Sequence, residues 1–340
     1  GNHAIKFGVD FNRTRVSQTF IGFARGRYIF AAPTINAAIA GFTDYINRVS
    51  AAGLSLYLQF APIGNRTVEQ AGTQAYTNIE PGFYIQDSWQ VRPNLTLNFG
   101  FRWEAQFQPD PINAPASTPY GQFLNDPRFP SDGSIPDFTD GYSPRVAVSW
   151  SPGKDRKTAI RLGGGIYYAR IPGLVVAGPR NTDGAIAGNI YRDGTFCSLA
   201  PGPVVCPTYA GILPTAGFTA FNPGIAVFAR DFKNPRTIQF SASVEREVYK
   251  NTSILFAYNM AKSDRLTRFV NRNDPRLYNG VAIFERANGS GIGEIRSTES
   301  TARSLYHGMT ITFNKRFSDR WQFQANYLLS FDKSDDDNER

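Results

Sequence analysis

Residues 82–104 of this 340-residue chain, GFYIQDSWQVRPNLTLNFGFRWE, contain two runs in which apolar and polar side chains alternate, separated by a short turn at RPN. The apolar positions are Phe83, Ile85, Trp89 and Val91 in the first run, and Leu95, Leu97, Phe99, Phe101 and Trp103 in the second. Because successive side chains of a strand point to opposite faces, this stretch predicts a β-hairpin with one apolar and one polar face.

The same unit recurs three more times, within residues 145–168, 238–260 and 309–331, with short turns at GKDRK, YKN and SDR. The polar positions of these strands are mainly Gln, Asn, Ser, Thr, Gly and Arg. The solvated face of a soluble sheet is usually rich in Lys and Glu instead. An apolar face opposite a neutral polar face is typical of a transmembrane β-barrel, with lipid outside and a polar lumen inside.

The connections between the hairpins are long and rich in Pro, Gly, Asn and Asp, at Phe107–Gly141, Ile171–Asp231 and Ser263–Thr301. Barrels of bacterial outer membranes have short periplasmic turns and long extracellular loops. We therefore expect an all-β, antiparallel, up-and-down transmembrane barrel over residues 1–340, with the short turns in the periplasm.

The N-terminal part is less regular. Residues 3–11 alternate, and residues 26–30 and 54–63 are predicted as further barrel strands, which brings the total to about twelve. Residues 37–49 are predicted to form one short helix.

Composition excludes several other classes of protein. With 41% hydrophobic and 19% charged residues the chain is not disordered. Its mean hydropathy of −0.32 and the lack of a long apolar run argue against a transmembrane helix. The net charge of +8 is spread along the chain without a basic run, so we predict no nucleic-acid partner.

Few residues of this chain are of the types and spacings that form catalytic or metal sites. His3 and His307 are the two histidines, and no HExxH motif or Cys/His cluster accompanies them. The Gly163–Gly165 run lies in an alternating strand, and Asp335–Asp337 lack the spacing of a calcium loop. We therefore predict no enzyme, no cofactor and no metal site.

Cys197 and Cys206 lie in one Gly/Pro-rich stretch. Two cysteines that close a short loop predict a disulfide in an oxidising compartment, with two free thiols as the alternative. The four tryptophans lie near predicted strand ends, which favours a membrane-interface role over a soluble core. They are Trp89, Trp103, Trp150 and Trp321.

Residues 82–104 resemble a barrel hairpin of the TonB-dependent outer-membrane receptors, in particular the Oar-like group. Residues 143–168 (SPRVAVSWSPGKDRKTAIRLGGGIYY) resemble the next hairpin, residues 306–334 a later one, and residues 1–11 an earlier one. The resemblance covers nearly the whole chain.

The resemblance implies a barrel of about 22 strands, a plug domain in the lumen and a segment that contacts the TonB system. The sequence shows neither the plug nor the TonB segment, and its last residues, SDDDNER, are polar. We therefore expect an internal part of the barrel, with the plug, TonB, outer-membrane lipid and an unidentified extracellular ligand as partners.

The resemblance also implies that charged side chains of the strands face the lumen and contact the plug or line the passage. The candidates are Arg102, Glu104, Arg161, Glu245 and Arg316. The predicted function is an outer-membrane receptor or transporter barrel. The alternative is a secreted or surface β-sandwich or propeller that binds glycans or proteins.

Overall fold

One large antiparallel sheet dominates the computed structural model. The structure describes residues 1–30, 32–46, 56–193, 211–212, 223–274, 277, 279, 283–284 and 291–335. The strands in chain order are β1 (His3–Thr19), β2 (Arg27–Ile29), β3 (Leu56–Pro62), β4 (Thr73–Arg92), β5 (Leu95–Gln106), β6 (Phe138–Trp150), β7 (Thr158–Tyr168), β8 (Ala187–Asp193), β9 (Ile225–Phe228), β10 (Arg236–Tyr249), β11 (Thr252–Asn271), β12 (Ile295–Ser318) and β13 (Trp321–Ser334). The helices are α1 (Ile35–Ile46), α2 (Val68–Gly72) and α3 (Gly173–Asn181), with 3-10 turns at Pro115–Ser117 and Gly121–Phe123.

The nine long strands are adjacent in the order β1-β4-β5-β6-β7-β10-β11-β12-β13, and every neighbouring pair is antiparallel. The short strand β9 joins this sheet in parallel beside the first residues of β12. The four predicted hairpins are confirmed as β4–β5, β6–β7, β10–β11 and β12–β13. The predicted antiparallel, up-and-down arrangement is therefore confirmed.

The strand register keeps the two kinds of side chain on separate faces, because directly paired residues point to the same side of a sheet. One row across eight strands is apolar: Trp89, Leu97, Val148, Leu162, Ala242, Tyr258, Met309 and Leu329. The next row is polar or small: Ser88, Asn98, Ala147, Gly163, Ser241, Asn259, Gly308 and Ser330. We call the first side the outer face and the second the inner face.

The β12–β13 hairpin closes on a two-residue turn in which Asp319 and Arg320 have φ of 52° and 69°. Positive φ at both central residues is the signature of a type I′ turn, whose twist matches that of the strands. Asn251 likewise has φ of 58° in the β10–β11 turn. These short turns lie at one end of the sheet, the short-turn end, and the long connections lie at the other, the loop end.

Two N-terminal strands are placed differently from the prediction. β2 and β3 do not join the large sheet but form a separate antiparallel sheet with β8. The physical reason is visible in β3, where Tyr57, Gln59 and Phe60 are all buried although they do not share one face. A barrel strand would leave alternate side chains facing lipid.

The described parts of the connections at the loop end contain helices and strands. The predicted helix is confirmed as α1, and the second long connection contains α3, β8 and β9. β11 continues to Asn271 and β12 begins at Ile295, so this hairpin extends well into the third predicted loop. Together the described connections form a body at the loop end that we call the cap.

The cap contains four clusters of buried apolar residues. The largest combines Tyr120 and Phe129 with residues of β9 and with Phe284 and Ile292. The cap, and not the strands at the short-turn end, therefore holds the hydrophobic core. None of the described helices is long and apolar enough to cross a membrane.

Candidate functional site

The inner face is the candidate functional surface, and its half nearer the short turns is open. A cavity of about 660 Å³ lies there, and its lining includes the neutral polar or small inner-face residues Gln86, Ser88, Asn98, Ala147, Ser241 and Asn259. Residues of the outer-face rows, among them Asp87, Phe99, Phe240 and Met260, also border it. The Arg145 guanidinium lies over the Tyr167 ring, 4.5 Å from its centroid. A Cβ on Gly165 would lie 2.9 Å from Arg145 Cγ, so the glycine leaves room for this arginine. The chemistry offered is that of amides, hydroxyls and one cation.

Towards the loop end the inner face is charged and covered, and Glu80 is the centre of its network. Glu80 Oε2 accepts from Arg170 Nη1 at 2.7 Å and from Asn12 Nδ2 at 3.1 Å. Its Oε1 accepts from Gln106 Nε2 at 3.1 Å. Glu80 is 7% exposed, and its carboxyl group is thus held by three donors, one on β1, one on β5 and one in the segment after β7.

Arg102 joins this network from β5. It donates to both carboxylate oxygens of Asp10, at 2.8 and 3.2 Å, and through Nε to Glu104 Oε2 at 3.1 Å. Arg170 Nη2 lies 3.7 Å from the same Glu104 oxygen. The structure therefore brings together two of the predicted lumen-facing residues and adds Asp10, Glu80 and Arg170 to them.

The other three predicted lumen residues lie elsewhere. Arg161 and Glu245 form a more exposed pair, Nη1 to Oε2 at 3.3 Å, near the short-turn end. Arg316 lies beyond the last register pair of β11 and β12, where its backbone N–H donates to Asn251 O at 2.9 Å. These three residues therefore lie near the short-turn end of the sheet and outside the Glu80 network.

A segment of the second long connection, residues 171–181, folds back onto the inner face and contains α3. Three glutamines on three adjacent strands bind its main chain: Gln18 of β1 donates to Gly173 O (3.2 Å), Gln74 of β4 to Ala177 O (3.1 Å) and Gln106 of β5 to Ile171 O (3.1 Å). Gln106 Oε1 also accepts from Ile171 N at 2.9 Å. We call residues 171–181 the inward segment.

Arg180 fixes the far end of the inward segment. Its Nη1 donates to Gln74 Oε1 at 3.2 Å, its Nε donates to Asp110 O at 3.0 Å, and its guanidinium lies 4.9 Å from the centroid of the Tyr76 ring. Burial lowers the pKa of Arg180 below its ordinary value. The segment is therefore held at both ends by partly or fully buried polar contacts.

Three of the four tryptophans lie beside short turns: Trp89 pairs with Leu97, Trp150 with Leu95, and Trp321 with Ser318. Trp103 lies towards the loop end, and its Nε1 donates to Thr139 O at 2.9 Å. Trp150 and Trp103 thus lie at opposite ends of the apolar run of β5, and eight residues of strand span roughly 26 Å. Their role at the membrane interface stays a prediction.

Cys197 and Cys206 lie outside the described residues, so their predicted pairing stays a prediction. Within the described part of the chain no group of His, Cys, Asp or Glu side chains could hold a metal ion. His307 lies on the outer face, where its Nδ1 is 2.6 Å from Tyr258 Oη. His3 is 2.6 Å from Asp87 and stacks on Trp89.

Sequence analysis missed the glutamine contacts and the Glu80 network. One signal was available: from Gln86 back to Gln74 the inner-face positions of β4 carry no aliphatic side chain, and they include Glu80 and Asn78. The strand is therefore ten residues longer towards the loop end than the predicted run that begins at Phe83. The partners on the inward segment carry no such signal.

A model of the outer membrane β-barrel domain family matches residues 1–339. The TonB-dependent transporter Oar of Myxococcus xanthus is 23% identical over 97% of this chain, and the chain spans 29% of that relative's length. The outer membrane transporter YddB of Escherichia coli superimposes with a TM-score of 0.52 at 12% identity, over 98% of this chain and 31% of that structure.

These matches agree with the two-faced sheet and with the resemblance to TonB-dependent receptors, which they confirm. They also confirm the predicted location in the bacterial outer membrane. The chain belongs to the outer membrane β-barrel domain family, and its described strands form a partial barrel wall in which β1 and β13 are not paired.

Proposed function

We propose that this chain forms one side of the wall of an energy-coupled outer-membrane transporter or receptor, and that the inner face borders its passage. The observation that carries the proposal is the register: nine long strands keep apolar side chains on one face and polar ones on the other. A lipid-facing exterior and a hydrated interior require this separation.

The open half of the inner face is where a plug would pack. Its amides, hydroxyls and small side chains suit a polar protein surface that must be able to move, because they form no buried ion pairs with it. The related Oar protein is named a TonB-dependent transporter, which supports this mechanism for the present chain. The ligand would enter from the loop end.

The inward segment would narrow the passage on the side of β1, β4 and β5. Its main chain is bound by Gln18, Gln74 and Gln106, so it forms a fixed part of the mouth rather than a free loop. Ligand would then pass along the remaining wall, β7 to β12.

A soluble sandwich or propeller, the alternative, would cover the apolar face with a second sheet. In the described residues the outer face of β1 is uncovered, with Phe7 75% and Val9 80% exposed. No observation favours this second function.

Site-directed labelling tests the assignment of the faces. Asn98→Cys and Phe99→Cys, neighbours on β5, would be made in a background in which Cys197 and Cys206 are serine, and outer membranes would be treated with a water-soluble and a lipid-soluble thiol reagent. We expect the lipid-soluble reagent to modify Phe99→Cys and not Asn98→Cys, and the water-soluble reagent to leave Phe99→Cys unmodified. Equal modification of both by the water-soluble reagent would contradict a membrane barrel.

Photo-crosslinking tests the plug contact. A photoreactive amino acid in place of Asn259, on the open inner face, should form a crosslink within the polypeptide, detected by mass spectrometry of its peptides. The same probe in place of Phe256, on the outer face, is the matched control and should crosslink to lipid. Absence of a protein crosslink from position 259 would contradict a plugged receptor and leave an open barrel.

A further inference from the structure

The outer face ends differently in two sectors at the loop end. On β5 and β6 the apolar runs finish at the aromatic residues Trp103 and Tyr142, which pair directly. On the three adjacent strands β11, β12 and β13 they finish at cations instead: Lys262, Arg303 and Lys333. Arg13 and Arg15 also follow the apolar run of β1, at the opposite edge of the sheet, so β11–β13 form one of two cationic sectors of this rim.

The three cations converge. Lys262 and Lys333 both pair with Leu305 of the strand between them, so their Cα atoms lie about 10 Å apart. Arg303 lies two residues beyond Leu305 on the same face. All three residues line one open groove of about 320 Å³ on the molecular surface. Lys262, Arg303 and Lys333 are all exposed.

None of the three side chains forms an ion pair within the described part of the chain, because nearby acids are engaged by other arginines. Asp264 is bound by Arg236, with contacts of 2.6 and 3.0 Å. Asp335 also lines the groove, but its Oδ1 lies 3.4 Å from Arg268 Nη2 and accepts from the backbone N–H of Arg303 at 2.6 Å. Counted over the described residues, the groove therefore carries a net positive charge.

The groove lies directly above the apolar band. On β11 that band covers Ile254, Phe256, Tyr258 and Met260, and the strand from Thr252 to Lys262 spans roughly 33 Å, or about 25 Å across a membrane after tilt. At the other end of the same band Lys315 lies under Trp321, 4.7 Å from its ring. Lys262 and its neighbours therefore lie at headgroup depth.

We propose that Lys262, Arg303 and Lys333 form a binding site for the phosphate of a lipid headgroup in the membrane leaflet at the loop end. Acyl chains would lie along Met260, Leu305 and Phe331, and the phosphate would sit between the cations. The site depends on the outer face being in contact with lipid, and it does not depend on what the barrel transports.

The test uses the complete polypeptide, purified in detergent from outer membranes, and measures lipid affinity by native mass spectrometry. The probes are bisphosphorylated lipid A, the same lipid without phosphates, and inorganic phosphate. The variant Lys262→Gln/Arg303→Gln/Lys333→Gln is compared with Lys154→Gln/Arg156→Gln/Lys157→Gln, which removes three exposed cations from a short turn at the opposite end.

Each cation near a membrane surface contributes roughly fivefold, so the first variant should lose about 100-fold in affinity for the phosphorylated lipid. The control should change it less than threefold, and neither variant should alter binding of the phosphate-free lipid. A loss of less than tenfold, or equal affinity of the parent protein for both lipids, would overturn the proposal. So would inorganic phosphate alone binding as tightly as the lipid, which would indicate a free anion as the ligand.

If the triple variant does not assemble, Lys333→Gln alone decides the question. Lys333 is exposed on the edge strand β13, and its loss should cost about fivefold in affinity without affecting assembly. Lys333→Arg should restore binding. If Lys333→Gln bound the phosphorylated lipid as tightly as the parent while the labelling at positions 98 and 99 gave the expected pattern, the lipid site would be rejected. The proposal that the chain forms a barrel wall would stand.

Discussion

The two halves of the sheet are stabilised on opposite faces. Towards the loop end the inner face is buried: Gln74, Asn78 and Glu80 on β4 are each less than a tenth exposed, under the inward segment and the cap. Towards the short turns Gln86 and Gln90 of the same strand are open. One strand thus relies on protein contacts at one end and on lipid along its outer face at the other.

The largest expected effect follows from the lipid-facing part of this comparison. Phe99→Arg places a charge at the middle of the outer run of β5, where a basic side chain costs about 2–4 kcal/mol of free energy of folding into the membrane. Asn98→Arg, the matched change on the inner face, should cost less than about 0.5 kcal/mol. Unfolding of the protein in bilayers by urea measures both, and equal losses would show that the faces are misassigned.

A smaller effect is expected from the covered inner face. Gln106→Ala removes the amide that binds Ile171 and Glu80 and leaves those buried groups without this partner, at a cost of about 2 kcal/mol. Gln86→Ala in the open half should change the free energy of unfolding by less than about 0.5 kcal/mol.

Hydrogen exchange of the Ile171 amide provides a local measure for the same pair of variants. Gln106→Ala should accelerate this exchange, and Gln86→Ala should leave it unchanged. If the two variants behaved alike, the inward segment would not depend on the glutamine contacts.

The smallest effect concerns the cap and depends on pH. Glu294 Oε2 is buried and accepts no hydrogen bond from any described residue, and burial raises the pKa of this carboxyl above its ordinary value of 4.5. The folded state therefore binds the proton more tightly than the unfolded state does. The stabilisation that the protonated Glu294 carboxyl gives the folded state is fully present below pH 4.5, the pKa of the unfolded state. It is lost as the pH rises through the raised pKa of the folded state.

Glu294→Gln removes this loss, so the variant should be more stable than the parent at pH 7 by about 1 kcal/mol and equally stable near pH 4.5. Exchange of the Ile225 amide, which donates to Glu294 O at 2.8 Å, reports the local stability across this pH range. Glu69→Gln on the exposed surface of α2 is the control and should not alter the profile. If the local stability of Glu294→Gln varied with pH in the same way as that of the parent protein, the loss of stability could not be assigned to Glu294.

The sheet and its two faces were predictable because the alternation that encodes them is local. Phe99 and Asn98 are neighbours in the sequence, and their opposite facing needs no knowledge of the rest of the chain. The same holds for the turn at Asp319 and Arg320, which joins two strongly alternating runs.

The cap and the inward segment were not predictable in this way. Gln18 binds the main-chain oxygen of Gly173, 155 positions away, and a carbonyl group carries no information in the sequence. The strands β2 and β3 alternate enough to look like barrel strands, and only their partner β8, far along the chain, assigns them to a separate sheet. Contacts between a side chain and a main-chain atom far away in the sequence leave no periodic pattern in that sequence.

The directions of the two edge strands determine whether an odd or an even number of further strands is needed to close the barrel. β1 and β13 are separated by seven further long strands that alternate in direction, so both edges run from the short-turn end to the loop end. Joined to each other they would be parallel neighbours. Any fully antiparallel closed barrel that contains these nine strands must therefore insert an odd number of others between β13 and β1, the first of which descends from the loop end.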